Sequence, residues 1–174
     1  MATGEVASRN DAAAPSGATE FTEWVRPHWS AMHALAHRMS RAGTGEDVLQ
    51  ESLADAWRHR LRFDPARGQV RAWLLTIVAN QARRSFRGVP RADRLTDEIR
   101  VVDGDAAQIR RIDMATALRR LTERQRLAVT LHYYLGLTTA ECAEVMSCST
   151  GTVKSTLSDA RGRLRILLRD ADRD

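Results

Sequence analysis

The chain is poor in features that mark several classes of protein. Two cysteines, Cys142 and Cys148, in 174 residues are too few for a disulfide framework, so both are expected as reduced thiols in or near the last helices. No stretch approaches the ~20 consecutive apolar residues that span a bilayer. The N-terminus also lacks the basic, apolar, then small-residue order of a secretory signal. Both absences point to a cytosolic chain without membrane insertion. A catalytic order of Ser, His and Asp, a Gly-rich phosphate loop and a CxxC pair are all missing, so neither an enzyme nor a cofactor is expected. His33 and His37 lie four apart on a helix and can share a metal, but no acidic base stands between them as in HExxH; they are expected at a helix surface or core edge. Lysine is nearly absent: Lys154 is the single Lys among 27 basic residues. A GC-rich coding sequence accounts for the Arg excess. Lys154 nevertheless falls where a compact ammonium and a planar guanidinium do different work.

What is present is helical and basic. Hydrophobic residues make up 43% and charged residues 28%, enough for a core and a solvated surface. A net charge of +5 and a pI near 10.2 favour a polyanionic partner. No segment alternates with period two for long, which predicts an all-α protein. Residues 1–19 are rich in Ala, Gly, Ser and Thr without apolar period, the composition of a disordered tail. A first helical stripe then runs through Phe21, Trp24, Val25, Trp29, Met32, Leu35, Ala36 and Met39. The second helix carries Val48, Leu49, Leu53, Ala56 and Trp57, turning Asp47, Gln50, Glu51 and Asp55 to solvent or a partner. After the loop Phe63–Gly68, a third helix carries Val70, Trp73, Leu74, Ile77 and Val78 and becomes basic at Arg83, Arg84 and Arg87. Residues 88–108 hold Gly, Pro, Asp and Arg with little periodicity and read as a flexible linker. Two small helical domains, 20–87 and 109–170, are thus expected on either side.

The second domain resumes the period at Ile109, Ile112, Ala115, Leu118 and Leu121. Thr122 with Gln125 forms one capping box, opening a helix through Leu127, Leu131 and Tyr134, and Thr138 with Glu141 forms another. A turn at Ser147-Cys148-Ser149 leads to a last helix capped by Ser149 or Thr150, with Val153, Leu157, Ala160, Leu164 and Leu168 on one stripe. This is a helix-turn-helix whose second helix can enter a major groove. Lys154, Ser155, Ser158, Asp159 and Arg161 lie off the apolar stripe and are candidates for DNA contact; Arg163, Arg165 and Arg169 suit phosphates or the helix C-terminus. In the third helix, Asn80 can donate to and accept from a base edge, and Arg83, Arg84 and Arg87 suit phosphates.

Three segments together resemble the extracytoplasmic-function (ECF) sigma factors of the sigma-70 family. They are Gly45 to Glu51 followed by Ala56-Trp57; Arg71-Ala72-Trp73-Leu74 through Ile77 to Arg84; and Leu121-Thr122 to Leu131 with Gly151 to Ser155. The resemblance covers residues 20–87 and 109–168. It implies that Asp47, Gln50, Glu51 and Asp55 dock on the clamp helices of core RNA polymerase. It further implies that the loop 62–69 and the third helix, through Phe63, Asn80, Arg83, Arg84 and Arg87, serve the −10 element and the melted strand, Phe63 or a neighbouring loop side chain lining a pocket for a flipped base. Lys154, Ser155, Ser158, Asp159 and Arg161 would read the −35 element. An anti-sigma factor partner and a stress or envelope regulon are implied as well. Many members carry Arg at the places of Thr156 and Asp159 and Gly at that of Ser147. Residues 121–157 alone also suit a stand-alone helix-turn-helix regulator of response-regulator type; the first half, without the alternating strands and acidic pocket of a receiver, separates the two.

Overall fold

Pro27 splits what the periodicity predicts as one N-terminal helix. The computed structural model describes residues 14–40, 43–85 and 114–171; the linker 88–108, most of the tail, Arg87, Ile109 and Ile112 lie outside them. Helix α1 (Ala18–Val25) ends in a 3-10 turn, Arg26–His28, with Pro27 in its first positions. Proline has no N–H to continue the helical ladder but suits a first turn. Helix α2 (Trp29–Met39) starts afresh. The break shifts the phase of the stripe, so Trp29, expected in the core, is 44% exposed.

The tail is also shorter than composition suggests. Helix α1 begins at Ala18, within residues 1–19, and Ser16 precedes it with both its N–H and hydroxyl donating to Glu20 Oε2. Pro15 is buried, and its carbonyl accepts from Arg60 Nε at 3.0 Å. The same guanidinium lies 3.7 Å from the centre of the Trp57 ring and donates to the Trp57 carbonyl. Arg60 therefore clips Pro15, just ahead of α1, onto the end of a later helix.

That helix, α3 (Gly45–His59), packs with α2 and with α4 (Val70–Ser85), and the three form the core of the first unit. Met32, Leu35, Leu49, Val70, Leu74, Leu75 and Val78 are fully buried, each worth roughly 1.5–3 kcal/mol of transfer from water. The buried side of α3 is Gly45, Val48, Leu49, Ser52 and Ala56. Leu53 and Trp57, expected at its centre, are only half-buried at its edge. Ser52 is tolerated inside because its hydroxyl donates to the Val48 carbonyl at 2.6 Å.

The second unit joins residues 114–119 (α5) to α6 (Glu123–Val129), α7 (Thr139–Met146) and α8 (Thr150–Ala171). The chain divides between the units at Ser85/Phe86. Both expected capping boxes close: Thr122 with Gln125 and Thr138 with Glu141. Helix α6 runs into a π turn, Thr130–Tyr134, sealed by Leu135 N–H donating to Thr130 O at 2.9 Å. The extra residue per turn rotates Tyr134 out of the stripe predicted for it; Tyr133 and Tyr134 are 56% and 55% exposed. All regular elements among the described residues are helical. None of these helices is long and apolar enough to cross a membrane.

Candidate nucleic-acid interface

The turn between α7 and α8 is set by one residue in an unusual conformation. Ser147 has φ 50 and ψ 51, the left-handed region. Ser147 N–H donates to Glu144 O at 3.1 Å and Cys148 N–H to Ala143 O at 3.0 Å, the paired bonds of a Schellman closure. Glycine usually takes that position, and Ser147 adopts the same geometry without it. Ser149 then caps α8, its Oγ accepting from Thr152 N–H at 3.1 Å. Ala143 and Val153 are both buried, giving α7 and α8 a close contact.

The core-facing side of α8 is Val153, Thr156, Leu157 and Ala160. Thr156 belongs inside: it is 8% exposed and its hydroxyl donates to Thr152 O at 2.7 Å. It is therefore no part of the reading face, contrary to the expectation drawn from family members with Arg there. Lys154, Ser155, Ser158, Asp159 and Arg161 are all exposed on the opposite side. Arg163, Arg165 and Arg169 continue the basic character outward. Leu164 and Leu168 are half-buried, so the stripe weakens towards the C-terminus. Cys142 is buried and Cys148 half-buried, both as free thiols. Burial pushes the Cys142 thiol up to about 11, with the charges of Glu141 and Cys148 adding to the effect.

In the first unit, the structure separates the predicted basic residues. Asn80 is exposed, and Arg83 Nη1 donates to Asn80 Oδ1 at 3.2 Å. Arg84 instead reaches across to α3, Nη2 to Asp55 Oδ2 at 2.8 Å. Asp55 also holds Arg58 through its other oxygen at 2.5 Å, and its side chain is only 16% exposed. Asp55 thus differs from Asp47, Gln50 and Glu51, which are exposed along α3. Of the four residues expected to face a partner, those three remain open, and the Asp55 carboxylate ties α3 to α4.

Phe63 is likewise turned inward rather than lining an open pocket. It is 7% exposed and sits against Trp24 and Trp73, with ring centroids 5.3 and 5.8 Å away. Trp24 and Trp73 are themselves 5.5 Å apart, so the three rings form one cluster of tilted contacts. The loop is shaped by Asp64, whose Oδ1 accepts from Ala66 N–H at 3.0 Å, and by Gly68 at φ 153. The exposed polar residues of the stretch 62–69 are Arg62, Asp64, Arg67 and Gln69. Arg62 and Arg67 lie within the loop 62–69 expected at the −10 element, although Phe63 alone is singled out there; two Arg flanking a Pro turn beside a basic helix are the signal that marks them.

A helix-turn-helix with a basic exposed second helix, carried with a separate helical unit whose last helix also ends in arginines, defines a DNA-reading protein of two modules. Residues 24–91 match sigma-70 region 2, and residues 111–164 match sigma-70 region 4. The chain is 32% identical over 158 residues to the ECF RNA polymerase sigma factor SigK of Mycobacterium tuberculosis (strain ATCC 25177 / H37Ra), covering 83% of each chain. It is 35% identical over 136 residues to the ECF RNA polymerase sigma factor SigL of Mycobacterium tuberculosis (strain ATCC 35801 / TMC 107 / Erdman), covering 74% of this chain and 77% of the relative. Among solved structures it is similar to the sigma factor RpoE of Bartonella quintana in complex with the anti-sigma factor NepR. That match has a TM-score of 0.71 and 27% identity, covering 87% of this chain and 98% of the other. It is also similar to CnrH in complex with the cytosolic domain of CnrY, with a TM-score of 0.69, 29% identity and coverage of 91% and 93%. The chain belongs to the ECF RNA polymerase sigma factors of the sigma-70 family. It is a transcription initiation factor, not an enzyme, and the region 2 match removes the stand-alone regulator.

Proposed function

We propose that this sigma factor directs core RNA polymerase to promoters carrying paired −35 and −10 elements and promotes their opening. The observation that carries this reading is the division of α8. Lys154, Ser155, Ser158, Asp159 and Arg161 share its exposed side while Val153, Thr156, Leu157 and Ala160 anchor the other. Such a helix lies in the major groove of the −35 duplex, with Lys154 and Arg161 supplying cationic donors and Asp159 an acceptor for a cytosine amino group. In the first module, Asn80 and Arg83 engage the −10 element, joined by Arg87 beyond the described residues. Arg62 and Arg67 of the exposed loop take the place beside the melted strand that Phe63, buried in its aromatic cluster, does not. Asp47, Gln50 and Glu51 dock on the polymerase clamp helices through charge complementarity.

Neither module holds a promoter alone at physiological salt. Once polymerase fixes their separation, the tether converts two modest contacts into one strong one through effective concentration. The solved complexes of RpoE with NepR and of CnrH with CnrY support control by an anti-sigma factor that competes for these faces, and release of the chain would then switch on a stress or envelope regulon. The test is transcription by core polymerase supplemented with the full chain, together with start-site mapping after overexpression. A shared −35 and −10 pair upstream of the induced starts is the expected result; induced starts with no common pair would overturn the reading.

A further inference from the structure

Among the described residues outside the proposed DNA- and polymerase-facing ones, one cluster brings three metal-ligating side chains together from two helices. His33 and His37 lie one turn apart on α2, their rings 4.3 Å between centroids, on one helix face. Glu46, in the first turn of α3, comes within 3.8 Å of His37 Nε2 through its Oε2. One ligand atom from each of the three lies within 4.8 Å of the other two, and all three residues are exposed. Donor atoms around a tetrahedral zinc ion, at bonds of about 2.0–2.1 Å, are separated by about 3.3 Å, so small side-chain rotations suffice to close the set.

A second observation explains how His37 comes to point there. A Cβ on Gly45 would lie 2.6 Å from His37 Nδ1 and 2.7 Å from its Cγ. The missing side chain at position 45 lets the imidazole lie against the start of α3 with its Nε2 edge towards Glu46.

We propose that His33, His37 and Glu46 bind a divalent transition-metal ion of the zinc class, stapling α2 to α3. Two imidazoles and a carboxylate form the mixed nitrogen and oxygen set that suits such ions, with water completing the coordination. The ion binds only when both imidazoles are deprotonated. It fixes the first turn of α3, next to the exposed Asp47, Gln50 and Glu51.

The test uses the full chain, treated with chelator and titrated with zinc(II) by calorimetry, with helicity checked for every variant. One saturable ion per chain is expected, together with a higher melting temperature of the first unit. His33→Gln and Glu46→Gln should each weaken binding at least tenfold, since loss of even an outer-shell partner costs about 10–100-fold. Gly45→Ala removes no ligand yet should weaken binding by displacing the His37 ring. The Cys142→Ser/Cys148→Ser double variant should bind as the parent does. Cobalt(II) in place of zinc should show the visible bands of nitrogen and oxygen coordination without a thiolate charge-transfer band. Absence of saturable binding overturns the proposal, as does binding unaffected by His33→Gln and Glu46→Gln or lost with the cysteines.

Discussion

Removing the Asp55 carboxylate should destabilise the first unit without touching any residue that faces DNA. Asp55 is 16% exposed and holds Arg58 and Arg84 at once, the second from a different helix. An isolated surface pair is worth about 0.2–1 kcal/mol. The Asp55–Arg84 pair belongs at the top of that range because the carboxylate is mostly shielded, although Arg84 itself is 48% exposed and screened by solvent. A coupling of about 1 kcal/mol between Asp55 and Arg84 is the reasoned value, to be read from Asp55→Ala, Arg84→Ala and the double variant. For a unit of this size each 1 kcal/mol of stability lost in a variant lowers the melting midpoint by about 4–8 °C. Urea is the proper denaturant, because guanidinium chloride would screen the pair being measured. All four Trp residues, at 24, 29, 57 and 73, belong to the first unit, so Trp fluorescence of the full chain reports its unfolding alone. Arg84→Ala should lower stability while leaving the salt dependence of promoter binding nearly unchanged. A coupling below about 0.3 kcal/mol, with a salt slope reduced by about 1 in Arg84→Ala, would refute the reasoning and return Arg84 to the phosphate backbone.

Lys154→Ala should reduce transcription from promoters dependent on the −35 element selectively; equal loss on every template would remove its reading role. Ser147→Gly should stabilise the helix-turn-helix by about 0.5 kcal/mol, the left-handed penalty of roughly 1 kcal/mol less the added freedom of unfolded glycine. Ser147→Val should cost more than about 1 kcal/mol, within the roughly 1–3 kcal/mol range for strain of this kind, and hydrogen exchange across residues 139–146 reads both changes. The Cys142 thiol, raised from 9.0 to about 11 by burial, favours the folded state at pH below 9, and that contribution fades as pH rises through 11. Alkylation should accordingly modify half-buried Cys148 first and Cys142 only slowly at neutral pH; equal rates would show that the helix pair opens freely.

The elements that periodicity announced are those whose determinants lie within one turn of each other. Thr122 and Gln125, or Thr138 and Glu141, meet because three residues separate them, so the caps of α6 and α7 can be read directly. The open side of α8 is equally legible, since Val153, Leu157 and Ala160 dictate where Lys154 and Arg161 must point. What escaped depends on partners distant in sequence or on a slip of phase. Phe63 resembles any loop aromatic until Trp24 and Trp73 close over it from two other elements. Asp55 resembles its neighbours on α3 until Arg84 arrives from α4. Pro27 and the π turn at Thr130–Tyr134 each alter the helical phase, which turns Trp29 and Tyr134 outward despite a correct stripe.

The separation of Arg83 from Arg84 has a consequence for how −10 recognition should respond to mutation. With Arg84 held by Asp55, the polar surface left on this stretch of α4 is centred on Asn80 and Arg83, joined by their 3.2 Å hydrogen bond. One member suits a base edge and the other a phosphate, so the bond links a specificity contact to an affinity contact. Arg83→Ala then removes a cation and also frees the Asn80 carboxamide to rotate, and a base contact that has lost its orientation is weakened even though Asn80 is intact. The two substitutions should therefore be non-additive in open-complex formation, with a coupling of about 0.5–1 kcal/mol, or a factor of roughly 2–5 between the observed double variant and the product of the singles. Potassium permanganate footprinting of the melted strand measures opening at a range of salt concentrations. Arg83→Ala should flatten the salt dependence, Asn80→Ala should leave it unchanged, and Asn80→Ala in an Arg83→Ala background should cost less than in the parent. Strict additivity would mean that the two side chains act on DNA independently and that their hydrogen bond is broken in the open complex.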